Sequence, residues 1–246
     1  MHDDTQIGGP KQRFPTTRRS AVLAARSPDA GVRRRAWETV AAAYWKPVYK
    51  YIRVRWGKSN EDAKDLTQEF LARAMEKGFL DSYDPARSRL RTFLRVCVDR
   101  FVINQAQTAG RLKRGGAAAA LDFEAAEAEL ARTALGHTVA PDEFFDREWA
   151  RAVFGIAIDR LRTECRTRGR ELHFLLFQHR DLDDSERRSY DDLARDYGLK
   201  TSDVTNHLAA ARREFRRILL ETLREMTASD AEFRREARAL LGVDPS

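Results

Sequence analysis

Residues 59–78 read SNEDAKDLTQEFLARAMEKG, and residues 83–101 read YDPARSRLRTFLRVCVDRF. In the first stretch Ser59 precedes an acidic turn, Glu61 and Asp62, which suits the positive end of a helix. Ala63, Leu66, Phe70 and Ala74 then recur at helical spacing until Gly78. In the second, Asp84-Pro85 leads into a helix with one apolar face made of Leu90, Phe93, Leu94, Cys97, Val98 and Phe101. Arg91, Arg95 and Arg100 are expected to point away from that face. Arg111, Lys113 and Arg114 extend the basic element to Gly115-Gly116. The period is helical throughout, with no alternating strand pattern.

The same period runs outward in both directions. Trp37, Ala41, Tyr44, Trp45, Val48 and Ile52 mark an earlier helix that Gly57 ends, and Pro47 predicts a kink by removing one backbone hydrogen bond. A short helix is expected over Arg18 to Arg26, after a mobile segment at residues 1–16. Residues 17–114 thus read as one helical domain. Residues 115–140, rich in Ala, Gly and Glu, read as a linker with some helical tendency, outside the core. A second helical domain is expected over 141–226, its first helices carried by Trp149, Val153, Ile156 and Leu161, then by Leu172, Leu175 and Leu176. A tail over 227–246 carries Phe233, Leu240 and Leu241, and its expected role is to cap the second domain. The fold class expected is all-α: two helical domains joined by a flexible linker.

A hydrophobic share of 42% with 34% charged residues describes a folded, charge-rich chain, and 246 residues leave room for two small cores. The net charge of +7, carried mostly by Arg, favours a polyanionic partner. A solubilising surface is the other reading of that charge. Cys97 and Cys165 lack partners at metal-ligand spacing and read as small core residues in a reducing cytosol. No apolar run approaches a membrane span, so the expected location is the cytoplasm, without membrane insertion.

Residues 189–217 form a helix-turn-helix pattern. Leu193, Ala194 and Tyr197 give the packing face of a first helix, Gly198 the turn and Leu199 its apolar anchor. Thr201 is expected to cap a second helix whose Val204 and Leu208 pack back on the first. Ser202, Thr205, Asn206 and His207 then project from the helix start, the part that enters a major groove, and Arg212, Arg213, Arg216 and Arg217 suit phosphates. A hairpin that merely packs is the other reading. Similarly, the acidic face from Glu61 to Glu69 is either solvated or a docking face for a basic protein surface.

The run from Glu61 to Phe70, followed by Tyr83 to Leu94, resembles the second domain of extracytoplasmic-function (ECF) sigma factors of bacterial RNA polymerase. Residues 189–217 are similar to their fourth domain. The pairing, in this order, carries the resemblance. It implies that Asp65, Gln68, Glu69 and Phe70 dock on the clamp helices of core RNA polymerase. It implies further that Tyr83, Arg87, Ser88, Arg91 and Phe93 open the −10 element of promoter DNA and hold a flipped base, as an aromatic ring replaces lost stacking. Phe93 suits the apolar core equally well by its spacing. Arg95, Arg100, Asn104 and Arg111 would line the upstream duplex, and Thr201, Ser202, Thr205, Asn206, His207, Arg212 and Arg213 would meet the −35 element. An anti-sigma factor or activator is a further candidate partner. The recognition helix, with Thr205, Asn206, His207 and Ala209 to Ala211, is less basic than is common in that family, and the linker is longer.

An enzyme is not expected: there is no Gly-rich phosphate loop, no nucleophile elbow, and His2, His137, His173, His179 and His207 are scattered. No cofactor and no metal are implied. The alternatives to a sigma factor are a stand-alone helix-turn-helix regulator that does not bind polymerase and, more remotely, an RNA-binding antiterminator.

Overall fold

The computed structural model describes residues 20–108, 121–132, 140–183 and 188–242. The described residues are all-α, with no strand among them. Their helices are α1 (Ala21–Ala24), α2 (Ala30–Arg55), α3 (Asn60–Glu76), α4 (Leu90–Thr108), α5 (Phe123–Arg132), α6 (Pro141–Thr167), α7 (Glu171–Phe177), α8 (Tyr190–Tyr197), α9 (Thr201–Glu225) and α10 (Asp230–Leu241). None of them is long and apolar enough to cross a membrane. The segment 1–16 lies outside the described residues, as do Arg18 and Arg19 of the expected neighbouring helix; of the rest only Ala21–Ala24 is helical.

α2 is the axis of the molecule. Asp29 caps it, accepting from Val32 N at 2.8 Å, and the helix runs on through the buried Pro47. A helix with one apolar stripe covers a core, whereas one buried all round lies inside it. From Ala43 to Ile52 α2 is of the second kind, since Tyr44, Val48, Tyr49, Lys50, Tyr51 and Ile52 are all within 1% of complete burial. α1, α3, α5 and α6 surround it, α6 most extensively.

Two expectations about chain organisation meet a different arrangement. Within the stretch read as linker, residues 123–132 form α5, and Phe123, Ala126 and Leu130 are buried. Phe123 stands edge-on to Trp45 at 5.3 Å and to Tyr49 at 5.2 Å. The Ala-rich composition concealed an amphipathic helix whose apolar residues recur at 123, 126 and 130. α6 packs on both α2 and α4, so the two expected helical units share one core.

The charged groups follow from this packing. Lys50, pointing out of the encircled α2, donates to Glu148 of α6 at 2.7 Å and to Glu129 of α5 at 2.8 Å. Glu148 is itself only 4% exposed and also accepts from Arg151. Arg53 meets Glu127 of α5 at 2.6 Å, and the same carboxylate accepts from Tyr49. On the other side of α6, Glu164 and Arg168 mesh with α9: Arg168 meets Glu214 at 2.7 Å, and Arg217 meets Glu164 at 2.8 Å and Glu214 at 2.9 Å. Cys165 is buried and Cys97 half-buried, and burial raises both thiols, Cys97 to about 11, as expected of core cysteines.

Two outcomes follow. Lys50→Ala removes the buried partner of Glu148, leaving it only Arg151, and should cost about 3 kcal/mol of stability in urea unfolding, whereas Lys50→Met with Glu148→Met should recover most of it. Hydrogen bonds from Arg217 and then Arg168 pull the Glu214 carboxyl down to about 2. A depressed carboxylate stabilises the fold above its unfolded value of about 4.3 and loses that contribution as pH falls through the folded one. The melting temperature of Glu214→Gln should therefore lie below that of the parent chain at neutral pH, and the gap should close as the pH approaches about 2.

Candidate nucleic-acid interface

α3 forms with the expected cap, but Thr67 rather than Leu66 is fully buried in its stripe. Ser59 Oγ accepts from Asp62 N at 3.1 Å, and Ala63, Thr67, Phe70 and Ala74 form the buried stripe. Of the four residues assigned to polymerase docking, Asp65 and Glu69 are exposed one turn apart and Gln68 is half-buried. Asp65 has no ion pair among the described residues, while Glu69 accepts from Gln105 and lies 4.0 Å from Arg73. Phe70 is 1% exposed, edge-on to Phe101 at 5.6 Å and Phe79 at 6.1 Å. Its contribution is to pin α3 against α4, which orients the acidic face above it.

Between α3 and α4 the chain makes a 3-10 turn over Phe79–Ser82, then a turn in which Ala86 N donates to Asp84 Oδ1 at 2.9 Å. Tyr83 is 2% exposed and donates to Ser88 O at 3.2 Å and to the Glu232 carboxylate. Burial, then the Glu232 carboxylate, raises its phenol well above the ordinary tyrosine value. Phe93 rests on it, ring centroids 5.3 Å apart, and Arg26 donates to Tyr83 O at 2.6 Å. Arg91, expected to point away from the core, is instead 5% exposed. It pairs with Glu236 of α10, and its guanidinium lies 4.7 Å from the Trp149 ring. Its Nε is 2.7 Å from Asp146 Oδ1 of α6 without the alignment of a hydrogen bond. Arg95 meets Asp142 at 3.0 Å and Asp99 at 3.1 Å. Arg87 and Arg100 are exposed, as is Asn104; Ser88 is half-buried, and Arg111 lies outside the described residues.

The tail is the element that sequence reasoning placed least well. Rather than capping the second unit alone, α10 packs on α9 and reaches the start of α4 with its side chains. Glu232 and Glu236 sit on its buried face beside Phe233 and Ala237. Two glutamates on the apolar side of an amphipathic helix were the available signal, but their partners are more than 140 positions away in sequence.

Residues 189–217 form two helices, α8 and most of α9, with Gly198 between them. Ser189 caps α8, accepting from Asp192 N at 3.1 Å, and Gly198 takes the left-handed conformation at φ 63° that ends it. Leu193, Val204 and Leu208 are fully buried between the two helices. The cap of α9 differs: Lys200 is the N-cap, and Asp203 accepts from its backbone N at 3.3 Å. Thr201 is instead the first helical residue and donates to Asp191 at 3.0 Å. Thr205 donates to Thr201 O at 2.9 Å. Ser202 and Asn206 are exposed in the first two turns of the helix. His207 is half-buried against His173 of α7, their Nδ1 and Nε2 atoms 3.3 Å apart. Burial and His207 lower the pKa of His173. Arg212 is held in a bidentate pair by Asp181, both contacts 2.8 Å, from a π-helical turn over Gln178–Leu182. Arg213 and Arg216 are exposed and make no ion pair among the described residues.

The geometry therefore offers an acidic exposed strip on α3, an aromatic and arginine cluster at the start of α4, and a polar helix start followed by open arginines on α9. No group of three or more metal-ligating side chains occurs among the described residues. No curated protein and no solved structure matches the chain. Residues 41–112, which span the end of α2, α3, α4 and the loop between them, match the family model for sigma-70 region 2. Proteins of that family are non-enzymatic transcription initiation factors. Over this segment, less than a third of its length, the chain is similar to the sigma-70 family.

Proposed function

We propose that this protein is a dissociable promoter-specificity subunit of bacterial RNA polymerase, an ECF-type sigma factor that opens −10 DNA and reads −35 DNA. The observation that carries the reading is the order of parts: a region 2 segment at 41–112, followed by a helix-turn-helix formed by α8 and α9. A single region would fit many regulators, but polymerase docking, strand opening and duplex reading in one chain fit initiation.

The roles divide by chemistry. Asp65 and Glu69 present negative charge that DNA would repel and a basic clamp surface would accept. Tyr83 and Phe93 supply rings for an unstacked base, and Arg87, Arg91, Arg95 and Arg100 charge for the separated strand, Tyr83 and Arg91 only once uncovered. Asn206 and Ser202 stand where a recognition helix touches base edges, Asn being suited to adenine, while Arg213 suits phosphate. Because Arg212 is already occupied by Asp181, phosphate contact on α9 falls more heavily on Arg213 and Arg216.

Asp65→Arg with Glu69→Arg should abolish binding to core polymerase without changing the melting temperature, since both carboxylates are exposed. Unchanged polymerase binding would remove α3 as the docking face. Asn206→Ala should change the preferred upstream sequence by about tenfold between competing sites, leaving polymerase affinity as it was. Tight sequence-specific duplex binding by the protein alone, with no affinity for core polymerase, would favour a stand-alone regulator instead.

A further inference from the structure

α10 presents different chemistry on its two sides. Arg234, Arg235 and Arg238 are exposed, whereas Glu232, Phe233, Glu236 and Ala237 are buried, the two glutamates at 1% and 2%. A helix that merely covered a core would place apolar groups there, because a carboxylate withdrawn from water loses hydration that a buried ion pair rarely returns in full. Burial in fact holds the Glu236 carboxyl above its usual range despite Arg91 and Arg89 beside it. The acidic face is thus better explained by what it touches than by the stability it adds.

What it touches is a set of groups suited to a phosphodiester. Glu232 Oε1 accepts from the backbone N of Leu90, the first residue of α4, at 3.1 Å, and from the Tyr83 hydroxyl. Its Oε2 accepts from Ala228 N at 2.8 Å. Glu236 takes the Arg91 guanidinium and lies 3.6 Å from Arg89 Nε. A helix-start N–H with adjacent guanidinium donors is the arrangement that binds phosphate oxygens. Here the anion in it comes from the chain's own C-terminal helix. α10 is anchored on the α9 side by Arg224, which stacks 3.9 Å from the Phe233 ring and pairs with Asp230.

We infer that α10 is an autoinhibitory latch, its Glu232 and Glu236 carboxylates occupying the phosphate-binding start of α4 and closing Tyr83, Arg89 and Arg91 to single-stranded DNA. This rests on the sigma-factor reading for its purpose: the free subunit is kept from binding open strands until α10 is displaced. Displacement exchanges one set of charge-assisted contacts for another of the same kind, so the two states are suited to being switched by a partner.

The test compares the full chain with Glu232→Gln/Glu236→Gln, measuring affinity for a fluorescein-labelled oligothymidine by anisotropy at low salt. The double variant should bind about tenfold more tightly, as freed arginine contacts to phosphate would allow. Adding Arg91→Ala should remove that gain. Unchanged affinity in a variant that still melts cooperatively would overturn the latch, leaving α10 a structural staple; so would a gain that survives Arg91→Ala. Should the double variant melt without cooperativity, Glu236→Gln alone, which leaves the Glu232 contacts in place, carries the same comparison. Core polymerase binding by the parent chain is measured separately. Its absence would sink the sigma-factor reading, whereas the oligothymidine affinities judge the latch.

Discussion

The deep burial of α2 from Ala43 to Ile52 is the constraint from which the other features follow. A helix encircled by neighbours must carry apolar residues almost throughout, and any cation on it must meet its counter-charge inside the protein. Lys50 is that cation, and Glu148 and Glu129 are the carboxylates it finds. Those two residues lie on α6 and α5, far along the chain from α2. One ammonium group therefore ties the region 2 segment to the helices that come after it, and the packing of Tyr44 near Trp149 and of Phe123 on Trp45 and Tyr49 adds to the same join.

Once α6 is fixed on α2, its acidic first turns fall beside the start of α4. Asp142 and Asp146 reach Arg95 and Arg91, and α10 closes the same corner from the other side with Glu232 and Glu236. Arg91, Arg95 and Tyr83 are thereby engaged within the chain. The acidic face of α3 and the start of α9 remain open to solvent. Around the start of α4, by contrast, Tyr83 and Arg91 are buried, while Arg87 and Arg100 stay exposed.

Local chemistry was legible in the sequence. The Ser59 and Ser189 caps, the Gly198 turn and the buried stripes of α3, α4 and α9 all follow from residue type and spacing within one or two helical turns. The acidic strip on α3 and the polar start of α9 were legible for the same reason. The α9 cap was misplaced by one residue, because Lys200 and Thr201 both precede a helical run and only the Asp203 contact decides between them. What could not be read was long-range pairing. Nothing in the run near Arg91 announces Glu236, and nothing in an Ala-rich stretch announces that Phe123 will stand against Trp45. The first joins α4 to α10 and the second joins α2 to α5, pairs of helices far apart in the chain.

A promoter-specificity subunit must confer promoter selection on a polymerase. Run-off transcription with purified core bacterial RNA polymerase over a library of genomic fragments, with and without the protein, tests that most directly. Discrete start sites that appear only when the protein is present, sharing two upstream sequence elements, are the predicted result. An unchanged transcript pattern, with the protein and polymerase failing to associate, would contradict it.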